Sequence, residues 1–233
     1  MEKGILYIVA TPIGNLEDIT LRALRILKEV NLIAAEDTRI TRKLLSHYDI
    51  HTQLTSYFEH NSITKGNYLI GLLNQGKSIA IVSSAGTPGI SDPGYPLIKS
   101  AIENDIPVVP IPGPSAIITA LVASGLPTSG FVFLGFPPRK EGKLKRLLEK
   151  SAILEKTIVL YESPFRVMKT IGVVKEVMGN ADVVIAREIT KKFEEIIRGK
   201  AVDILNNYNG REIKGEVILL ISAQVEKTEE KGE

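Results

Sequence analysis

A chain of 233 residues, 44% of them hydrophobic, carries enough apolar surface for one large or two small cores. With no Cys it has no disulfide, thiolate metal site or cysteine nucleophile, which agrees with a reducing cytoplasm, and a net charge of +2 is too small to announce a nucleic-acid binder by itself. The three His, at 47, 51 and 60, lack the spacing of a zinc site, no apolar run reaches membrane-spanning length, and no signal peptide is expected from residues 1–4.

The first half alternates strand and helix signals. Residues 5–10 read as a buried strand. Leu21, Leu24, Leu27 and Val30 then recur at helical spacing, with Asp18 or Thr20 as the cap. Residues 32–35 read as a second strand, and Thr38 as the cap of a short helix carrying Ile40, Leu44 and Leu45. A third strand is expected over 54–58, then a helix from Ser62 that carries Ile70 and Leu73 and stops at Gly76. Strand 79–82, helix 95–103, strand 108–111 and helix 115–124 follow. The alternation predicts a mainly parallel sheet with helices on both faces.

Residues 125–130, with two glycines and a proline, read as a linker. Beyond it the pattern is strand 131–136, basic helix 142–155, strand 157–161, helix 165–177, strands 183–189 and 194–197, helix 202–207 and strand 216–222. Strands here neighbour one another without a helix between, so a mixed sheet is expected. The reading is two α/β domains, 1–125 and 126–233, with a cleft between them and a frayed charged tail from about residue 225.

Two loops stand out. Ser83-Ser84-Ala85-Gly86-Thr87-Pro88-Gly89-Ile90-Ser91-Asp92-Pro93-Gly94 follows one strand, and Pro112-Gly113-Pro114-Ser115-Ala116 follows the next. Glycine removes the side chain that would block a ligand and proline stiffens the loop. In open α/β sheets such loops sit at the carboxyl ends of strands, where ligands bind. The loop 11–15 after the first strand lacks Gly-x-Gly-x-x-Gly, and 83–94 lacks the Gly-Lys-Ser/Thr ending of a phosphate cradle. An ordinary turn at 11–15, and a plain capping role for Asp92, are the competing readings. Free amides at Ser115 and Ala116 suit a polar ligand end.

Glu36-Asp37-Thr38-Arg39 reads either as a base with an orienting cation or as a helix start with acids against the dipole. His60, between Glu59 and Asn61, is a candidate base or substrate contact. Cations cluster at Arg39, Arg42 and Lys43, at Arg139, Lys140, Lys143, Lys145 and Arg146, and at Lys191 and Lys192. The helix over 143–150 is a solvated face or a phosphate-binding surface.

Together these loops resemble the tetrapyrrole methylase superfamily. The narrower resemblance is to its branch that methylates the ribose 2′-hydroxyl of a cytidine in small-subunit ribosomal RNA. Val9-Ala10-Thr11-Pro12-Ile13-Gly14-Asn15, Ala35-Glu36-Asp37-Thr38-Arg39, Glu59-His60-Asn61, Tyr161-Glu162-Ser163-Pro164 and Arg187-Glu188-Ile189-Thr190-Lys191 carry it, in order and over nearly the whole chain. The resemblance implies S-adenosylmethionine as cofactor and no metal. It assigns cofactor contacts to Pro12, Ala85, Gly86, Thr87, Ser91, Asp92, Gly94, Tyr95, Ser115 and Ala116, and to Tyr161, Glu162, Ala186 and Glu188 in the second domain. Glu36, Asp37, Arg39 and His60 become the catalytic candidates. Arg42, Lys43, Arg139, Lys140 and Lys191 become the RNA-binding cations. A cytoplasmic homodimer acting on ribosomal RNA or the 30S subunit is implied. A methyltransferase acting on a precorrin, a porphyrin or a translation factor's modified histidine is the alternative, as is a non-catalytic RNA-binding module. Many members of the branch carry a further C-terminal helical extension; its contacts are expected to be missing or replaced here.

Overall fold

The computed structural model describes residues 2–208 and 211–223, so the charged tail lies outside the described residues. The chain forms two compact units, one ending at Ser115 and the other starting at Ala116.

The first unit is a five-stranded parallel sheet. Its strands are β1 (Leu6–Val9), β2 (Leu32–Ala35), β3 (Leu54–Ser56), β4 (Ile79–Val82) and β5 (Val108–Ile111), in the order β3-β2-β4-β1-β5. Helices α1 (Leu21–Glu29) and α2 (Thr38–His47) cover one face, and α3 (Ser62–Asn74) and α4 (Gly94–Glu103) the other. The central strands β2 and β4 are short and apolar throughout because both of their faces are buried. Period-two alternation sends Val9, Ile33, Ala35, Ala80, Val82 and Ile111 against Ala23, Ile26, Leu27, Leu44 and Leu45. It sends Leu6, Leu32, Ala34, Ile79 and Ile81 against Leu69, Leu73, Leu97 and Ala101.

The caps follow local chemistry. Thr20 caps α1 by accepting from the Ala23 amide at 3.1 Å. The cap of α2 is Asp37, one position before the expected Thr38, because its carboxylate takes the Arg39 amide at 2.8 Å. α3 ends as expected at Gly76, whose φ of +84° lets its own amide reach the Leu73 carbonyl and the Lys77 amide the Leu72 carbonyl.

Strand order fixes where a ligand belongs. The connection from β1 to β2 passes to one side of the sheet, and that from β4 to β5 passes to the other. The segments leaving the adjacent ends of β1 and β4 therefore diverge, which is the switch point at which open α/β sheets bind ligands.

The second unit carries α5 (Ala116–Ser124), β6 (Phe131–Phe133), α6 (Glu141–Ala152), β7 (Thr157–Glu162), α7 (Val167–Met178), β8 (Asp182–Arg187), β9 (Glu195–Lys200), α8 (Ala201–Asn207) and β10 (Val217–Ser222). Its sheet runs β6-β7-β10-β8-β9, with β6 and β7 parallel and the other pairs antiparallel, the mixed sheet expected. Leu144, Leu148, Val167, Ile171, Val174 and Ile204 of α6, α7 and α8 close its main core. Helix α5 packs against β8, β9 and β10, so it belongs to this unit. The boundary thus falls ahead of the expected 125/126, and the Gly/Pro stretch 125–130 joins α5 to β6 inside the unit.

Arg198 of β9 secures α5 from its C-terminal end, donating from Nε to the Ser124 carbonyl at 3.0 Å and from Nη2 to that of Ala123. These carbonyls have no partner within the helix, and a cation there also suits the dipole. Arg198→Ala is expected to lower stability by about 1 kcal/mol, an exposed charge-assisted pair being worth that order. A urea midpoint equal to wild type would contradict this role.

Candidate functional site

Three loops gather at the carboxyl ends of β4, β1 and β5. Thr11 and Gly86 exchange backbone hydrogen bonds of 2.9 and 3.0 Å, and the buried Thr11 hydroxyl donates to the Ser83 carbonyl at 3.1 Å. A β-carbon at Gly86 would be in ordinary van der Waals contact with Ile13 at 3.4 Å and the Pro114 carbonyl at 3.7 Å, which places the three segments side by side. One at Gly113 would sit 2.8 Å from the Ala10 β-carbon. Residues 11–15, 83–94 and 112–115 therefore form one cluster, which brings together Pro12, Gly86 and the segment ending at Ser115. Ala85, Thr87, Ser91 and Tyr95 are exposed around it, while Gly94 is buried.

Two carboxylates shape the 83–94 loop. Glu36, at the end of β2, accepts the Ser84 amide at 3.0 Å and the Ser84 hydroxyl at 2.7 Å, both on Oε2. Asp92 Oδ1 accepts the Gly89 amide at 2.6 Å and the Gly94 amide at 2.9 Å. It thereby ties the loop to the first turn of α4. Asp92 stands one position before the Pro93 cap of α4 and holds the first helical amide, and its Oδ2 makes no hydrogen bond among the described residues. Burial pushes the Asp92 carboxyl above its ordinary range; the two amides oppose that, and the nearby charge of Glu36 adds to it. The loop contains no Lys or Arg. Such a cradle suits a cationic ligand and repels a phosphate.

The remaining catalytic candidates are less well placed for proton transfer. Arg39 grips Asp37 with Nη2 on Oδ2 at 2.8 Å and Nε on Oδ1 at 3.2 Å. The Arg39 side-chain bond, followed by its backbone amide, lowers the Asp37 carboxyl from 3.8 to about 2. So acidic a group is a poor proton acceptor near neutrality. Its folded value lies below its unfolded one, so any stability it adds is present above about 3.8 and is lost as pH falls toward about 2. The rate profile between about pH 5 and 9 is therefore expected to carry no inflection from this group, and Asp37→Asn to keep its shape. A lost or shifted acid limb in that variant would restore the carboxylate to the base role. His60 lies exposed in the one-turn helix Glu59–Asn61, its ring edge-on to Phe58 at 6.4 Å. Arg42 and Lys43 are exposed on α2 and form no ion pair among the described residues.

In the second unit three of the expected contact residues are buried or already engaged by other residues. Glu162 is 3% exposed, with Oε1 on the Ser163 amide at 2.8 Å and Oε2 on the Thr170 hydroxyl at 2.6 Å. Arg166 stands 3.6 Å from Oε1 and donates to the Pro138 carbonyl at 3.2 Å. Glu162 is thus an internal brace with both oxygens engaged. Ala186, next to the last residue of β8, is 0% exposed between Ile218 and Ile196 and offers no side-chain surface to a ligand. Lys191 lies 3.0 Å from both Glu188 and Glu216, so its charge is already matched and it is not a free RNA-binding cation. Burial opposes its charge, but its hydrogen bonds to Glu188 and Glu216 outweigh that and raise its pKa. The Glu216 amide first, then Lys191, hold the Glu188 carboxyl low. Glu188 and Thr190 both adopt left-handed backbone, φ +51° and +65°, an uncommon conformation for residues other than glycine. Tyr161 is half-buried at the end of β7.

Thr11, Ser84 and Thr170 are the polar groups that sequence reasoning missed as partners. Each is a small hydroxyl in or beside a recognisable motif, but its partner is set by the fold. Among the described residues no group of three or more His, Asp or Glu is placed to hold a metal ion, and no helix is long and apolar enough to cross a membrane.

A parallel α/β unit with an anionic loop cradle at its switch point, joined in one chain to a mixed-sheet α/β unit, is the architecture these observations define. The chain belongs to the family described as Tetrapyrrole (Corrin/Porphyrin) Methylases, which it matches over residues 5–205. It is 51% identical over 228 residues to a Halalkalibacterium halodurans protein named ribosomal RNA small subunit methyltransferase I, covering 98% of this chain and 79% of that protein. It is 48% identical over 223 residues to a Hydrogenobaculum protein of the same name, covering 94% of this chain and 96% of that one. The solved structure of a diphthine synthase has the same fold, with a TM-score of 0.73 at 12% identity over 94% of this chain and 90% of that one.

Proposed function

We infer that this methyltransferase uses S-adenosylmethionine to methylate the ribose 2′-hydroxyl of a cytidine in small-subunit ribosomal RNA. The observation that carries the cofactor is the loop cradle with Glu36 and Asp92 beneath it and no cation within it. The ribosomal RNA substrate is supported by the likeness to relatives named ribosomal RNA small subunit methyltransferase I, at about half identity over most of the chain, and the cytidine 2′-hydroxyl by the motif resemblance alone.

When bound, the cofactor supplies a methyl group on a positively charged sulfur, activated for in-line displacement. Pro12, Gly86, Asp92 and Ser115 would hold it through their loops, with Asp92 Oδ2 open to a ligand hydroxyl or ammonium. Ala85, Thr87, Ser91 and Tyr95 supply exposed groups around the loop. Glu36 acts at one remove, keeping the Ser84 end of the loop in place. A ribose hydroxyl is a weak acid, so a nearby base assists its attack. His60, exposed and in no ion pair among the described residues, is the candidate. Arg42, Lys43, Arg139 and Lys140 are the cations left to meet RNA phosphates. A cytoplasmic homodimer acting on the small subunit completes the reading.

Calorimetry tests the cofactor assignment. S-adenosylmethionine is expected to bind and ATP, at equal concentration, is not. ATP binding with comparable affinity would overturn the electrostatic argument.

A further inference from the structure

The end of β7 presents aromatic rings that the cofactor cradle does not explain. After β6 the chain continues alongside β7, with the Leu134 amide on the Val159 carbonyl and the Tyr161 amide on the Gly135 carbonyl, both at 3.0 Å. The Arg166 bond to the Pro138 carbonyl pins the next residues. Phe133 and Phe136 then flank the Tyr161 ring at centroid distances of 4.9 and 5.4 Å. Phe136 nevertheless stays 66% exposed, with a ring face unused by the protein. Arg139 and Lys140 follow at once, exposed and in no ion pair among the described residues. The nearest acid in sequence, Glu141, is held by Lys169 at 3.1 Å and Lys145 at 3.8 Å, so the local charge is positive.

A rigid exposed ring beside unmatched cations is how proteins hold single-stranded nucleic acid: every base has a face to stack, and every linkage a phosphate to neutralise. A second copy of the chain would bring the same cations toward one another, so charge favours a polyanion over self-association. We propose that Phe136 is a stacking platform for an unpaired base of the RNA, with Arg139 and Lys140 on the flanking phosphates. This rests on the RNA-methylation reading above.

The chain contains no Trp, so Phe136→Trp introduces a single reporter that preserves stacking. The full-length variant is titrated with a single-stranded oligoribonucleotide and, separately, with inorganic polyphosphate of matched charge. RNA is expected to quench the emission and polyphosphate to leave it unchanged. Phe136→Ala is expected to weaken RNA binding about ten-fold or more with cofactor affinity unchanged. Arg139→Ala is expected to reduce the salt slope of the RNA affinity by about one. The proposal is overturned by emission blind to RNA, by equal quenching with polyphosphate, by a response to S-adenosylmethionine alone, or by emission that depends on protein concentration without RNA. If the wild-type chain methylates ribosomal RNA and the reporter is blind, this proposal alone fails. If the wild-type chain transfers no methyl group to ribosomal RNA, the functional reading fails with it.

Discussion

Gly94→Ala is expected to weaken S-adenosylmethionine binding by more than about 100-fold and to abolish methyl transfer. The added β-carbon would lie 2.7 Å from the Gly89 nitrogen and 3.2 Å from the Gly89 α-carbon, both backbone atoms, as well as 3.1 Å from Asp92 Oδ1. Backbone on a packed loop cannot swing aside as a flexible side chain does. Relief must come from separating residues 89 and 94, which breaks the 2.6 and 2.9 Å bonds to Asp92. Hydrogen bonds to an ionised group are worth roughly 1.5–3 kcal/mol each, so losing both accounts for the expected factor. Asp92→Asn separates shape from charge. Burial holds the Asp92 carboxyl above its ordinary value, so its contribution to stability is present below that ordinary value and is lost as pH rises through the raised one. At neutral pH the ionised group is a cost to folding. The amide keeps an acceptor for Gly89 and Gly94, so Asp92→Asn is expected to fold at least as well as wild type yet bind the cationic cofactor more weakly. Calorimetry with thermal melts reads both variants, and wild-type affinity in Gly94→Ala would contradict the account of the loop.

Glu162→Ala is expected to cost the second unit about 3–5 kcal/mol, the range for removing one partner of a buried charged group. It leaves the Thr170 hydroxyl and the Ser163 amide without an acceptor and Arg166 without its carboxylate. For a chain of this size that corresponds to a fall in Tm of roughly 10 °C. Glu162→Gln keeps an acceptor of the same shape and is expected to recover most of the loss, with cofactor affinity near wild type because both carboxylate oxygens face the protein. Should Glu162→Gln melt normally but lose the cofactor, the residue is a ligand contact and not a brace.

Much of the first unit is legible in the order of its amino acids. The strands over 32–35, 79–82 and 108–111 fall where expected because each is a short apolar run, and the first two are buried on both faces. The loops after them declare their shape through Gly and Pro. What they hold is less legible: the pairing of Glu36 with Ser84 depends on β2 and β4 being neighbours, which only the sheet order reveals. In the second unit local signals mislead for the same reason. The Gly/Pro stretch 125–130 looks like a boundary, yet α5, with Ile117, Ala120 and Leu121 buried, packs on the sheet beyond it. A strand end does not tell which side chain faces outward, so Ala186 and Glu162 read as ligand contacts and yet lie inside. Lys191 reads as a free cation until Glu216, remote in sequence, is placed beside it.

The most direct test is to incubate the full-length chain with isolated small-subunit ribosomal RNA, assembled 30S subunits and S-adenosylmethionine labelled on the methyl group, with a precorrin as rival acceptor, and to map the product by resistance to alkaline cleavage. The account predicts label at the 2′-oxygen of a cytidine in the ribosomal RNA, none on the precorrin, and none with Gly94→Ala. Label on a base, or on the precorrin alone, would contradict it.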